Sequence, residues 1–364
     1  MRIKRWLEAY LLSLGSPNLV KFVSVRPSAS EIRVTENCNS RCMTCNAWKN
    51  RSVNELTTAE FKNVFFQLRQ LGVDCVVFTG GEPLLRHDIG SIIREAKLVG
   101  FNEVMLITNG LLLEQKAPVL VESGLDRLLV SIDGMEATDE RIKGIPTHFK
   151  RATQGIAIAN RLAEKEKVDL KTVVLTTLMR PNAEEIPMLI DKCRSLGASW
   201  YFNLLESNIR FFRNTDMASL RIESQEAIDT LFDHLSDLQK SPSSRYFCYH
   251  QLNYARDYLK GKNRFIPCVH GYIRINIGAH GEVYSGCFVL EPMGNVREEK
   301  LSHIISTKRY RKRIERMYVR NCPGCTNLWG EQVISKHIVS HIFHCQGIRT
   351  ALFPDLRQKQ IATA

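Results

Sequence analysis

The sequence predicts an α/β fold, a partial (β/α)6 TIM-like barrel followed by a smaller C-terminal cysteine-rich domain. Three observations carry this. Six short β-type runs alternate with amphipathic helical patterns between residues 30 and 215. Glycines stand where those helices should end. Beyond residue 263 the composition changes and cysteines concentrate. Alternating βα units imply parallel strands joined by right-handed crossovers, and a closed barrel would need eight of them.

The strands are expected at 30–35, 75–79, 103–108, 127–131, 171–176 and 200–205. The helices between them are expected at 57–71, 87–99, 115–123, 148–164 and 183–196. Thr57-Thr58-Ala59-Glu60 reads as a capping box opening the first helix. Gly72, Gly100, Gly124 and Gly197 mark helix ends. Two further helical patterns, 223–239 and 246–260, follow the barrel as a bridge. Strands at 274–277 and 282–284 then flank Gly278-Ala279-His280-Gly281, a hairpin turn. The expected organisation is 1–29, a basic amphipathic segment; 30–215, the partial barrel; 216–262, the helical bridge; and 263–364, the cysteine-rich domain.

The 364 residues are 44% apolar and 24% charged, with no uncharged apolar run long enough to span a bilayer. This excludes a polytopic membrane protein, a collagen and a largely disordered chain. Near the start, Arg2, Lys4 and Arg5 precede Trp6, Leu7, Tyr10, Leu11, Leu12 and Leu14, interrupted by Glu8. With no small-residue cleavage site following, a short amphipathic helix fits better than a signal peptide. It would lie on the protein or make peripheral membrane contact. A cytoplasmic location is expected. Eleven cysteines, an odd number, then argue against a disulfide framework.

The net charge is +12, from 50 basic and 38 acidic side chains. A basic run contains Lys308, Arg309, Arg311, Lys312, Arg313, Arg316 and Arg320. It reads either as a solvated helix face or as the site of an anionic partner. No aromatic interleaving accompanies it, so no nucleic acid is expected.

Cys38-Asn-Ser-Arg-Cys42-Met-Thr-Cys45 follows the first strand directly. In parallel α/β folds the loops after strand C-termini build the active site. Three thiolates on one loop can hold an iron–sulfur cluster with one iron left open, since a [4Fe–4S] cluster normally takes four cysteines. A structural zinc would need a fourth ligand, and His87 is the nearest histidine in sequence.

This CxxxCxxC at the end of the first strand resembles the signature of radical S-adenosylmethionine (SAM) enzymes. The resemblance implies a [4Fe–4S] cluster whose open iron is chelated by SAM, and reductive cleavage to a 5′-deoxyadenosyl radical. Thr79-Gly80-Gly81-Glu82-Pro83 after the second strand matches the family's GGEP motif, which implies that Gly80, Gly81, Glu82 and Pro83 hold the SAM amino group. Asn109 in Thr108-Asn109-Gly110 and Ser131 and Asp133 in Ser131-Ile132-Asp133-Gly134 would approach the ribose and carboxylate. Leu175–Leu178 corresponds to the adenine-contacting strand, so Leu178 would touch the adenine, with Asn182 following. Arg141 and Lys143-Gly144 stand where relatives carry an Arg-Gly near the SAM carboxylate. Thr44 departs from the aromatic residue common before the third cysteine.

Cys268 and Cys287 flank the hairpin, and Cys322-Pro-Gly-Cys325 follows. Four thiolates suit a tetrahedral zinc or a fully ligated iron–sulfur cluster. The pattern resembles the SPASM/twitch extensions of radical SAM enzymes, with five residues rather than four between Gly281 and Cys287. Glu331 stands where the full SPASM pattern has its next cysteine, so the resemblance implies a single auxiliary [4Fe–4S] cluster, as in the dehydrogenase of butirosin biosynthesis. Cys345 is either a substitute ligand or a buried free thiol.

The resemblance implies an oxidoreductase acting on a sugar- or aminocyclitol-like small molecule, an anionic one included, with the auxiliary cluster as electron acceptor. Flavodoxin or ferredoxin would be the reductant. One alternative is an epimerase with Cys248 as hydrogen donor. Another is a peptide- or protein-modifying enzyme, for which the 37 residues before Cys38 look too short to hold a recognition domain. The last is a non-catalytic electron carrier, against which GGEP argues. Cys248 and Glu206 are the candidate catalytic residues. His250 and His270 come next, and His337, His341 and His344 read as ordinary packing.

Overall fold

The computed structural model describes residues 11–12, 16–205, 218–239, 249–262, 267–322 and 325–326. Six parallel strands run in chain order: β1 (Ala29–Thr35), β2 (Cys75–Gly80), β3 (Glu103–Thr108), β4 (Arg127–Ser131), β5 (Lys171–Leu178) and β6 (Ser199–Leu204). Alternate residues, such as Ile32, Val34, Val76, Phe78, Leu106, Val130 and Phe202, are fully buried and face the helices. The strands' C-terminal ends open onto the loops that carry the motifs.

The crossovers are α1 (Thr58–Gln70), α2 (Ile89–Val99), α3 (Leu113–Glu122), α4 (Glu136–Lys143), α5 (His148–Lys165) and α6 (Ile186–Ser195). The capping box is present: Thr57 accepts from the Glu60 amide at 3.3 Å, and Glu60 accepts from the Thr57 amide at 2.8 Å. Gly100 caps α2 in the left-handed conformation, φ 91°. The pattern of alternating apolar positions missed α4. Its sequence, EATDERIK, has no apolar stripe; it buries Thr138, Asp139, Ile142 and Lys143, mostly polar groups.

Helices α7 (Gln225–Gln239) and α8 (Tyr249–Leu259) follow, then the single turn α9 (His270–Ile273). The expected hairpin forms β7 (Asn276–Ile277) and β8 (Glu282–Tyr284), antiparallel, joined by β9 (Gly294–Asn295). It does not stand apart from the barrel sheet. β7 pairs parallel with β1, so the order is β6-β5-β4-β3-β2-β1-β7-β8-β9 in one sheet. β7 is shorter than the expected 274–277 because the ladder there is irregular. The Asn276 side chain, not a carbonyl, accepts from the Glu31 amide at 3.3 Å.

Helices α10 (Leu301–Ser306) and α11 (Lys308–Tyr318) close the C-terminal region. Val269, Tyr272, Ile277, Ile304 and Tyr318 join the same apolar core as the barrel. No described helix is long and apolar enough to cross a membrane.

Candidate active site and the second cysteine centre

The Cys38–Cys45 loop leaves the end of β1 and is fastened on two sides. On one side the Arg41 and Met43 amides donate to the carbonyls of Lys143 and Ile142 at 3.0 and 2.9 Å. Gly144 makes this approach possible, because a Cβ there would lie 2.5 Å from the Arg41 carbonyl oxygen. Met43 sits in a small apolar cluster with Ile142, Met179 and Leu220. On the other side the Gly81 and Glu82 amides donate to the carbonyls of Thr35 and Asn37, both at 2.8 Å. A Cβ on Gly80 would lie 2.1 Å from the Thr35 oxygen, and one on Gly81 2.1 Å from the Asn37 oxygen. The paired glycines therefore let the β2 loop lie flat against the root of the cysteine loop, a reason not visible in the motif.

Cys38, Cys42 and Cys45 are partly exposed and near enough to raise one another's pKa. Burial, the largest cause, pushes Cys38 up to about 11 and Cys42 up to about 12. The Ser40 and Ala47 amides approach the sulfurs of Cys38 and Cys45 at 3.5 and 3.4 Å. Three clustered thiols, desolvated and met by N–H donors, are what an iron–sulfur cluster's cationic irons would compensate.

Glu82 is buried and already holds the chain together. It accepts from Thr108 Oγ1 at 2.6 Å and from the amides of Asn109 and Leu84 at 2.7 and 2.9 Å. Burial raises its pKa against these bonds. About one of the roughly four acceptor sites of a carboxylate is left for a ligand. Asn109 Nδ2 reaches Asn39 Oδ1 at 2.7 Å and Ser40 Oγ at 2.9 Å, joining the end of β3 to the cysteine loop.

Behind the loop lies a buried charged network that sequence reading missed. Lys143 Nζ pairs with Asp133 Oδ2 at 2.6 Å, each side chain 6% exposed. Asp133 Oδ1 accepts from the Thr177 amide at 2.7 Å, and Asn182 donates to the Asp133 carbonyl at 2.7 Å. Asp139 accepts from the Asp133 amide at 2.8 Å and meets His148 Nδ1 at 2.5 Å. Burial alone would lower the Lys143 pKa, but Asp133, Cys42 and Asp139 together hold it above its ordinary value. Of the two cations expected here, Arg141 is exposed and Lys143 is buried. The signal was the acidic-rich, non-amphipathic stretch 136–143 after β4. Ser131 and Leu178 end β4 and β5 on the same rim, and Pro83 starts the turn after β2.

The second centre gathers residues far apart in sequence. Cys268, Cys287, Cys322 and Cys325 line one small cavity with Val289, Leu290, Met317 and Arg320. The Cys268 thiol is pushed up to about 12, by burial first and then by the nearby Cys287 and Cys322 sulfurs. Gly286, φ 78°, turns the chain into this site; a Cβ there would lie 2.5 Å from the His270 carbonyl oxygen. Between the two centres the Arg33 guanidinium lies 5.7 Å from the centre of the ring of Phe288, the residue after Cys287, and Arg33 lowers the pKa of Cys45. His270 is buried beside Arg274, which together depress its pKa to about 3. Glu206, Cys248, Glu331, His337, His341, His344 and Cys345 lie outside the described residues, as does the side chain of His250.

Residues 32–193 match the radical SAM superfamily, and residues 268–326 match the SPASM iron–sulfur cluster-binding domain, which begins at the first of the four distal cysteines. The chain carries a radical SAM domain and a SPASM domain. These domains imply SAM, a [4Fe–4S] cluster and additional iron–sulfur clusters. Over 175 residues the chain is 35% identical to the AdoMet-dependent heme synthase of Methanosarcina barkeri, covering 46% of this chain and 47% of that protein. It is 33% identical over 175 residues to the probable GTP 3',8-cyclase of Methanothermobacter marburgensis, covering 48% and 56%. The matches thus span about half the length of these curated relatives. Among solved structures, Streptococcus suis SuiB superposes with a TM-score of 0.65 at 15% identity, covering 88% of this chain and 77% of that one. AdoMet-bound anSMEcpe gives 0.59 at 16% identity, covering 89% and 99%. At these identities the likeness establishes the shared fold.

Proposed function

We propose that the protein is a radical SAM enzyme that oxidises a small molecule at a C–H-bearing carbon, reduced by a flavodoxin- or ferredoxin-type partner. The observation that carries this is the pair of centres: a three-cysteine loop at the barrel mouth, and a four-thiolate cavity in the C-terminal region, with Arg33 and Phe288 between them. When bound, the first cluster with SAM would supply a hydrogen-abstracting 5′-deoxyadenosyl radical, and the second an electron acceptor. The chain's own part is positional. Glu82 and Asn109 fix the loops after β2 and β3 against the cysteine loop, and the Lys143–Asp133 pair fixes the loop after β4. Four thiolates around one cavity leave no protein-free ligand position, which favours electron transfer over substrate chelation there.

A small-molecule substrate is favoured by the sequence relatives, which carry the names heme synthase and GTP 3',8-cyclase. Peptide modification is the second reading, since SuiB and anSMEcpe were solved with peptides bound. Redox-neutral epimerisation with Cys248 as hydrogen donor is the other outcome to separate. Turnover in D₂O decides: oxidation gives a carbonyl without carbon-bound label, and epimerisation through a thiol places deuterium on product carbon. A labelled product lost in Cys248→Ala, with 5′-deoxyadenosine still formed, overturns the oxidative reading.

A further inference from the structure

Helix α11 has two opposed faces. Tyr310, Ile314, Met317 and Tyr318 are buried in the core. Lys308, Arg309, Lys312, Arg313 and Arg316 line a shallow cleft on the other side. At about 100° per residue the five cations share an arc of roughly 140°. Among the described residues, the ion pair of this helix is Arg311 with Glu315, at 3.0 Å, on its flank. Arg313 donates to the Glu291 carbonyl at 3.0 Å, and Glu291 is the acidic residue facing the cluster. Burial, with Arg309 and Arg316 beside it, lowers the Arg313 pKa despite Glu291. The cations crowd one another, a cost that an anion would relieve.

Arg311, in contrast, does not belong to this face. It donates to the carbonyls of Val23, Val20 and Lys21 at 2.7, 2.9 and 2.6 Å, and so pins the 19–23 turn against the helix. Tyr318 Oη donates to the Leu12 carbonyl at 2.8 Å, bringing the preceding chain to the same side. The pinned turn presents Phe22, 79% exposed, and Leu19, 37% exposed. An isolated exposed ring is ordinary. One carried on a turn that Arg311 fastens to the flank of a helix with five cations on its outer face, met among the described residues by Glu291, has the composition of a surface that enters a headgroup layer.

We propose that the exposed face of α11 and the turn bearing Phe22 dock the protein on an anionic lipid bilayer. The cations would sit among the headgroups and Phe22 at the acyl boundary. A fluid anionic surface needs no shape match, which suits a run of mostly exposed cations along a shallow cleft better than a folded acidic protein, whose docking needs a complementary contour.

The test is flotation of the full chain with phosphatidylcholine vesicles, with and without roughly a third phosphatidylglycerol. Binding to the anionic vesicles alone, weakening with salt, is expected. Each cation near such a surface is worth about fivefold, so K308E/K312E/R316E should lose about a hundredfold or more. Phe22→Ser should weaken binding several-fold and leave its salt dependence unchanged. Circular dichroism would check that both variants are folded. No partition into anionic vesicles at low salt overturns the proposal. So does wild-type binding by the triple variant, which would place the contact in residues 1–10. Vesicles left unbound, with capture of an acidic flavodoxin lost in the triple variant, would assign the face to a protein instead.

Discussion

The two cysteine centres are built in opposite ways. The first places three thiols within eight residues and holds them by hydrogen bonds and a buried ion pair. The second collects four thiols spread from Cys268 to Cys325 around a cavity walled by Val289, Leu290 and Met317. One is a loop clamped by polar groups. The other is a convergence of separate segments that exists only once the core has packed. A local site can tolerate change elsewhere but not in its clamps, whereas a dispersed site shares the fate of the fold around it.

The largest effect should separate the two centres outright. Replacing Cys38, Cys42 and Cys45 together with Ala should abolish SAM cleavage by the reduced protein and leave about half of the iron, on the usual cluster stoichiometry. Iron and sulfide analysis of anaerobic protein is the measurement; loss of all iron would show that the second centre depends on the first.

Next, Lys143→Met leaves the Asp133 carboxylate buried without its cation. A cost of about 3–5 kcal/mol is expected from breaking a buried pair. Denaturant unfolding of the cluster-free protein measures it. Adding Asp133→Asn should recover part of the loss, because the uncompensated charge is then gone. At the second centre Met317→Ala should cost about 2–5 kcal/mol as a packing defect, and Asp133→Asn should not rescue it.

The smallest effect concerns the clamp between the hairpin region and α1. Arg297 pairs with Glu60 at 2.6 Å, and with the Thr57 cap it holds the Glu60 pKa down to about 2. A depressed carboxylate stabilises the fold above its unfolded pKa, and that contribution is lost as pH falls from about 4.5 toward 2. Both groups are about a third exposed, so the worth is about 0.5–1 kcal/mol. Arg297→Ala should lose that amount at neutral pH and little near pH 2, flattening the acid limb of the stability profile between those values.

The same contrast explains what could be read from the chain. The six strands, the capping box and the CxxxCxxC and GGEP loops were legible because each is a local pattern. Helix α4 was not, because it buries charge rather than an apolar stripe, and the Lys143–Asp133 and Asp139–His148 pairs went unseen with it. Arg311 looked like one more charge of the basic run, yet it is fixed to backbone carbonyls 290 and 291 residues away. The hairpin was found but its pairing was not, since nothing local says that Ile277 will lie beside Ile32. Convergence of the distal cysteines was inferred from their number and resemblance, and only packing brings them to one cavity.

The pairing of β7 with β1 bears on how the chain is made. A ribosome releases β1 to β6 well before β7, and until β7 arrives β1 is an open edge strand at the side of a twisted parallel sheet. Its Glu31 amide and Ala29 carbonyl, later taken by Asn276 and Ile275, then face solvent. A nascent or truncated chain ending before residue 263 would offer that edge to other chains. The last third of the sequence, besides carrying cysteines, is thus the protective cover of the strand from which the cysteine loop grows.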